Sequence, residues 1–444
     1  MSMLTISLLV LLSIVLIVVL TSWTKLNAFA ALFIVALMLA LVTLPDKDVI
    51  EILKQGFGNT IASIGFLIIF GAIIAVVLEK SGGAESIANA IFLKTGRKRA
   101  AEAMGITGFI VGFPIFCDSG YIIMSQLAKT FSAKAKIALP LIAFVLATAL
   151  YSVHCLVPTH PGALAASGII DANIGLLIVL GTLFAIPAAI AAFVWIKWRT
   201  RNIQYAEIKQ NSDEIVSDNN QNLPSVTLSL LPIIIPLILI ALGSMFGLLK
   251  LSGDSLLVKS LTFIGHPIIA LMVGVLLSFL LLKSRTISNL NAVFEKAIEK
   301  AGPILIVTGA GGMFGLVIKE TGVGAYVGEF LLETGLGIAV PFLIAFILKT
   351  AQGSSTVAII TAASFVVPML PALGLETEMG KLLAMLAMAA GSMMISHAND
   401  SYFWVVSRFS GIDSGTTLKI YSTATIVMGI TTFVCVWIAS FFML

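Results

Sequence analysis

The chain has 444 residues, of which 59% are hydrophobic and 11% charged, with a formal net charge of +4. So few charges could not hold a chain of this length in water, and so small a net charge fits loops facing a membrane surface rather than a nucleic-acid footprint. Apolar runs of about 20 residues between turn and charge signals predict an all-α integral membrane protein, not a β-barrel.

The first run, 4–20, precedes Lys25 and has neither a basic start nor a small-residue cleavage site, so it reads as a retained span with an outside N-terminus. Spans follow at 28–44 and 61–78, then a short apolar stretch at 87–92 leading into Lys94-Thr95-Gly96-Arg97-Lys98-Arg99. The run 104–127 is broken by Pro114-Ile115-Phe116-Cys117-Asp118-Ser119-Gly120 and followed by Lys129, Lys134 and Lys136. Basic clusters on both flanks belong on the cytoplasmic side, and each arm, about a dozen residues, is too short to span. A re-entrant hairpin over 102–131 satisfies both. The segment 137–170 then crosses outward with a break at 154–162, and 175–198 returns to Lys197, Arg199 and Arg201. Polar residues at 202–226, rich in Asn and Gln, read as a cytoplasmic linker.

The second half repeats the plan. Spans are expected at 228–249 and 261–282, with Lys283 and Arg285 marking the cytoplasm, and an amphipathic stretch at 290–300 precedes a span at 303–318. Gly71 and Gly311 are 240 residues apart, as are Gly82 and Gly322. A second hairpin over 338–371 is split by Lys349-Thr350-Ala351-Gln352-Gly353-Ser354-Ser355-Thr356, and its acidic flanks (Glu329, Glu333, Glu376, Glu378) suit the outside. A second broken helix, 382–410, has its polar break at 396–401, and 418–442 ends the chain. His154 precedes Gly168 by 14 residues, as His397 precedes Gly411.

Each half thus reads as about five crossings plus one hairpin. An odd number of crossings inverts the second copy, so the two hairpins meet near the midplane from opposite sides, with both termini periplasmic. Scaffold parts at 1–58 and 227–300 and transport parts at 59–201 and 301–444 follow from this division.

Unwound backbone is tolerated in lipid only where protein or water satisfies it, so the four breaks should line one cavity. Half-helix N-termini attract anions. Ser119 and Gly120 open one such arm, and Gly353, Ser354, Ser355 and Thr356 open the other. Such a site suits a carboxylate carrying several hydroxyls. Lys349, close to the second tip, is the candidate partner for that carboxylate, with Gln352, Asn399 and the histidines His154, His160 and His397 as further ligands. Asp118 and Asp400 are the deepest acids and the candidates for proton coupling, or else N-caps of half-helices. Cys117, Cys155 and Cys435 show no spacing for a metal or a disulfide framework, and no cofactor is expected.

The stretches Gly112-Phe113-Pro114-Ile115-Phe116-Cys117-Asp118-Ser119-Gly120, His154-Cys155-Leu156-Val157-Pro158-Thr159-His160-Pro161-Gly162, Gln352-Gly353-Ser354-Ser355-Thr356-Val357-Ala358 and Ser396-His397-Ala398-Asn399-Asp400-Ser401-Tyr402-Phe403-Trp404 resemble the signatures of the gluconate:proton symporter (GntP) family. The resemblance implies a bacterial inner-membrane carrier that imports gluconate or a related sugar acid with protons. It also implies a homodimer moving in elevator fashion. It gives Asp118 a coupling role and Lys349 a carboxylate role. Thr159 and Cys117-Asp118-Ser119 depart from the commoner family pattern where hydroxyls would be read, which leaves D-serine, glycerate or another small hydroxy acid open as substrate. Coupling to sodium also stays open. The rivals from other classes are an anion channel and an intramembrane hydrolase; the sequence has no nucleophile elbow for the latter.

Overall fold

The computed structural model describes residues 1–24, 26–204, 223–248, 256–323, 326 and 336–444. Lys25, most of the expected linker, and Glu329 and Glu333 lie outside the described residues. Among those described, every regular element is helical and none is a strand. In chain order they are α1 (Met3–Ser22), α2 (Ala28–Thr43), α3 (Val49–Ser81), α4 (Gly83–Thr95), α5 (Ala100–Val111), α6 (Cys117–Ala135), α7 (Leu139–Leu156), α8 (Pro161–Ile170) and α9 (Ile174–Thr200). The second half supplies α10 (Val226–Leu248), α11 (Leu256–Ile264), α12 (Pro267–Ser278), α13 (Ile287–Thr321), α14 (Ala339–Gln352), α15 (Ser355–Val366), α16 (Glu378–Ser392), α17 (Ser401–Ser410) and α18 (Thr423–Met443).

Seven of the described helical segments are long and apolar enough to cross a membrane. Their outer faces carry large apolar side chains such as Leu8, Leu12, Leu183, Val194, Ile430 and Phe441. In a water-soluble protein such faces would be polar; here they match lipid. α7 and α16 lie at the centre, each buried along most of its length.

α3 and α13 are the longest helices, 33 and 35 residues. Asp48 caps α3 by accepting from the Glu51 N–H at 3.0 Å, and Thr286 caps α13 through Asn289 N–H at 3.4 Å. The two end alike, at Gly82 (φ +76°) and Gly322 (φ +71°). The sequence reading began these spans at 61 and 303. Nothing breaks the preceding amphipathic turns, so each continues as one helix, and α13 carries Pro303 inside it. The expected domain boundaries at 58 and 300 therefore fall within unbroken helices.

α3 and α13 pack antiparallel. Lys47 reaches Glu320 at 2.6 Å at one end, and Lys300 reaches Glu79 at 2.6 Å at the other. Between these ends a Cβ on Gly56 would come within 2.6 Å of Met313 Cα, and one on Gly309 within 2.4 Å of the Phe57 ring. Small residues let these backbones approach closely, as helices in lipid require.

Both expected hairpins fold as helix–turn–helix. Gly105, Gly108 and Gly112 of the first arm meet Val145, Leu146 and Val153 in rising order, so α5 runs parallel to α7. α6 meets α7 at Gly120–Leu150 and then ends beside the start of α7, so it runs antiparallel. The chain enters along α5 and returns along α6. The second hairpin repeats this: Gly391 of α16 lies against Phe342 and Ala345 of α14, while Asn399 meets Gly353, which makes α14 parallel to α16.

The breaks fall where polar residues interrupt the apolar runs, between α7 and α8 at 157–160 and between α16 and α17 at 393–400. One expectation fails: 261–282 is not a single span. His266-Pro267 ends α11 and opens α12, because proline supplies no N–H and restricts the residue before it. The last span also differs. It enters through a short helix, Ser414–Thr417, and a π-helical turn, Leu418–Ser422.

Candidate functional site

The first hairpin turns at Gly112–Phe116, and α6 starts at Cys117. No side chain caps its N-terminus. Asp118 and Ser119 therefore sit in a first turn whose free N–H groups point out of the helix. A carboxylate is favoured there by the helix dipole. Asp118 Oδ1 is buried with no protein hydrogen-bond partner.

The second hairpin turns at Gly353, whose φ of +84° is left-handed. A Cβ here would lie 2.1 Å from the Asn399 carbonyl oxygen, so only glycine allows the tip to meet the second break. Ser354 caps α15, accepting from Val357 N–H at 3.3 Å. Lys349 donates to the Gly353 carbonyl at the end of α14, where a cation suits the dipole. Its Nζ also lies 2.6 Å from Asp400 Oδ2.

Asp400 is the N-cap of α17: its Oδ1 accepts from Tyr402 N–H at 3.0 Å. Its Oδ2 accepts from Ser396 Oγ at 2.5 Å as well as from Lys349. The break is held from the last span, where Thr425 Oγ1 accepts from Ser396 N–H at 3.0 Å and Ser422 donates to the Ser396 carbonyl. The π-helical turn ends at Ser422, three residues before Thr425. Asn399 Nδ2 donates to Thr350 O at 2.8 Å, a second tie to the hairpin.

In the first break, His160 is fully buried and its ring nitrogen pairs with the Gly112 carbonyl of the hairpin turn. His154 Nε2 is 3.5 Å from Thr356 Oγ1, and its ring lies 4.9 Å from that of His160. A Cβ on Gly162 would sit 3.0 Å from Thr356 Cα, so α8 packs directly on α15.

One cavity of about 380 Å³ collects these parts. Its wall includes Asp118 and Ser119 from the first hairpin and Ser354, Ser355 and Thr356 from the second. His154, at the end of α7, and Pro161, at the start of α8, flank the first break, and Asp400, next to Ser401 of α17, comes from the second. The volume lies within the roughly 300–1,000 Å³ typical of small-molecule sites. Tyr151 and Tyr402 form part of its apolar side, their rings 5.5 Å apart.

Eight residues expected to bind substrate stand off this wall. Gly120 packs on Leu150, and Thr159 faces a smaller cavity between Gly71 and Pro232. His160, Lys349 and Asn399 face protein partners, Gly353 is backbone support, and Gln352 and His397 lie beyond the wall. Tyr151, Ser401, Tyr402 and Lys300 are wall residues that sequence reasoning missed, and Lys300 is the charged one among them. It faces the cavity with Pro303, Ile304 and Val307, one stripe of α13 at helical spacing. The available signal was the lysine at the end of an amphipathic run just before Gly302-Pro303.

Comparison with known proteins agrees with this architecture. The profile of the GntP family permeases matches residues 4–442. The high-affinity gluconate transporter of Escherichia coli strain K12 is 30% identical over 411 residues, covering 90% of this chain and 91% of that protein. The D-serine transporter DsdX of the same strain is 28% identical over 438 residues, covering 97% of each. In fold, the chain is similar to MtrF of Neisseria gonorrhoeae, an antimetabolite efflux pump, with a TM-score of 0.67 at 15% identity over 89% of this chain and 85% of that one. A profile match over nearly every residue, on a multi-pass helical body, makes this chain a member of the GntP family of permeases: a membrane transporter, not an enzyme.

Proposed function

We propose that the protein is a secondary active carrier that takes up gluconate or a related hydroxylated monocarboxylate with protons across the bacterial inner membrane. One observation carries this reading: both hairpin tips, the helix ends that flank the first break, and Asp400 of the second break contribute to one cavity wall. The N-terminal turns of α6 and α15 lie on this wall, and Ser119, Ser354, Ser355 and Thr356 add hydroxyls. A carboxylate with a chain of hydroxyl groups satisfies both kinds of donor. The gluconate transporter among its relatives favours the same substrate.

Asp118 is the proton carrier in this scheme. Asp400 keeps a fixed partner in Lys349 and two further hydrogen bonds, from Ser396 and the Tyr402 N–H, whereas Asp118 lines the cavity and its Oδ1 has no protein partner. A proton delivered to Asp118 removes its charge from a water-poor site and lets the loaded carrier reorient.

Reorientation follows from inverted repeats. The antiparallel α3 and α13, the equivalent parallel pairs α5/α7 and α14/α16, and the matched glycines Gly82 and Gly322 support that symmetry. The hairpins and broken helices move as one body past the scaffold of the first spans in a homodimer, with periplasmic termini and a cytoplasmic linker. Since α3 and α13 are unbroken at 58 and 300, each moves as a whole.

A D-serine carrier is the second reading. Asp118 on the wall would receive an ammonium, and the DsdX relative favours it. Purified protein in liposomes tests both. An inward pH gradient should drive accumulation of labelled gluconate, and unlabelled gluconate should exchange for labelled in counterflow. Accumulation of D-serine alone selects the second reading. Flux of either without counterflow marks a channel.

A further inference from the structure

The sequence gives the cavity one cation, Lys349, but the structure spends its charge. Lys349 is fully buried, donates to Asp400 and to the Gly353 carbonyl, and stands off the wall. The cation that does reach the wall is Lys300 of α13. Its Nζ donates to Glu79 Oε2 at 2.6 Å and lies 3.5 Å from Ser119 Oγ at the first hairpin tip. The Lys300 and Glu79 side chains are each 23% exposed.

We infer that Lys300 is a specificity-determining residue that receives the substrate carboxylate, exchanging Glu79 for it as the cavity fills. This rests on the reading of the cavity as a hydroxy-acid site. Three observations carry it. First, Lys300 has the reach: Ser119, whose hydroxyl it already approaches, is itself on the wall, so a carboxylate at the α6 N-terminus lies beside the ammonium. Second, Glu79 can release it. Lys296 stands one helical turn earlier in α13 with its Nζ 3.7 Å from Glu79 Oε1, so the glutamate keeps a cationic partner when Lys300 turns inward. Third, the exchange is balanced in charge. One carboxylate replaces another on the same ammonium, which avoids leaving a lone charge in a water-poor place.

The exchange also ties loading to structure. Lys300 and Glu79 join α13 to α3, while Ser119 belongs to the hairpin. A substrate held by both Lys300 and the hairpin tip bridges the two, and it loosens the empty-state contact between α3 and α13 as it does so. The carboxylate is what the lysine reads; the hydroxyls are read by the serines of the second hairpin. An uncharged polyol of the same length should therefore gain nothing from Lys300.

The test uses the purified full-length chain and gluconate, D-glycerate and D-serine, with sorbitol as the uncharged counterpart of gluconate. Thermal shift and competition for uptake in liposomes are read for the wild type, K300Q, K300R and E79Q. In K300Q the apparent KM for the acid should rise at least tenfold, the preference for gluconate over sorbitol should collapse, and K300R should restore most of it. In E79Q the competitor is gone, so the acid should bind several-fold more tightly. That second variant decides the matter if K300Q does not fold. Unchanged KM and preference in K300Q, or unchanged or weaker binding in E79Q, overturn the inference. A wild type that responds to none of the acids overturns instead the hydroxy-acid reading beneath it.

Discussion

Lys349 of the second hairpin and Asp400 of the second helix break form an ion pair at 2.6 Å, with side chains 0% and 5% exposed. Fifty-one residues apart in sequence, they lock the end of α14 to the start of α17. Breaking a buried pair by removing one partner leaves an uncompensated charge and costs about 3–5 kcal/mol. Lys349→Met should therefore lower the melting temperature of the detergent-solubilised protein sharply. Lys349→Met with Asp400→Asn should recover part of that loss. A double variant as unstable as the sum of the singles would contradict the pairing.

Asp118→Asn tests coupling separately from binding. The amide keeps the shape of the side chain but cannot take up and release a proton. Accumulation against a gradient should vanish while counterflow exchange persists. Accumulation equal to the wild type removes Asp118 from the coupling role.

Gly353 and Gly374 separate strain from close approach. Both have positive φ, +84° and +68°. A Cβ at Gly374 meets nothing within 4 Å, whereas one at Gly353 meets the Asn399 carbonyl at 2.1 Å. Gly374→Ala should cost about 1 kcal/mol, the backbone penalty alone. Gly353→Ala should cost more than twice that and abolish uptake. Equal melting temperatures for the two variants would show that the tip and the break are not in contact.

His154 at the end of α7 and His160 in the first break should behave oppositely. His160 is fully buried against the Gly112 carbonyl, so His160→Ala should lower stability by about 1–3 kcal/mol through the orphaned acceptor. His154 lies on the cavity wall beside Thr356, so His154→Ala should shift the apparent KM with little change in melting temperature. Thermal unfolding and uptake kinetics on the same preparations check both.

What the sequence disclosed follows from how polar residues behave in lipid. Asp118, Ser354 and Asp400 each stand in an apolar run, and each marks a real interruption at the cavity, because unwound backbone must be satisfied somewhere, whereas His154 stays within α7 just before its break. The partners were not legible. Lys349 reads as a cation for the substrate until Asp400 is brought to it from 51 residues away. Lys54, Gln55 and Asn59 made the first turns of α3 look like surface, which hid their continuity with the span. Lys300 had the same disguise in α13. The π-helical turn at Leu418–Ser422 leaves no periodic signature, since its use is local: it carries Ser422 and leads to Thr425, the two hydroxyls that hold Ser396.

Site-resolved maleimide labelling of Ser119→Cys and Ser354→Cys, read by mass spectrometry with and without gluconate, addresses the central point most directly. The account predicts that gluconate slows labelling at both positions, one from each hairpin, while Cys435 of α18 keeps its rate. Protection at neither position, or at one tip alone, would contradict a single site shared by the two hairpins.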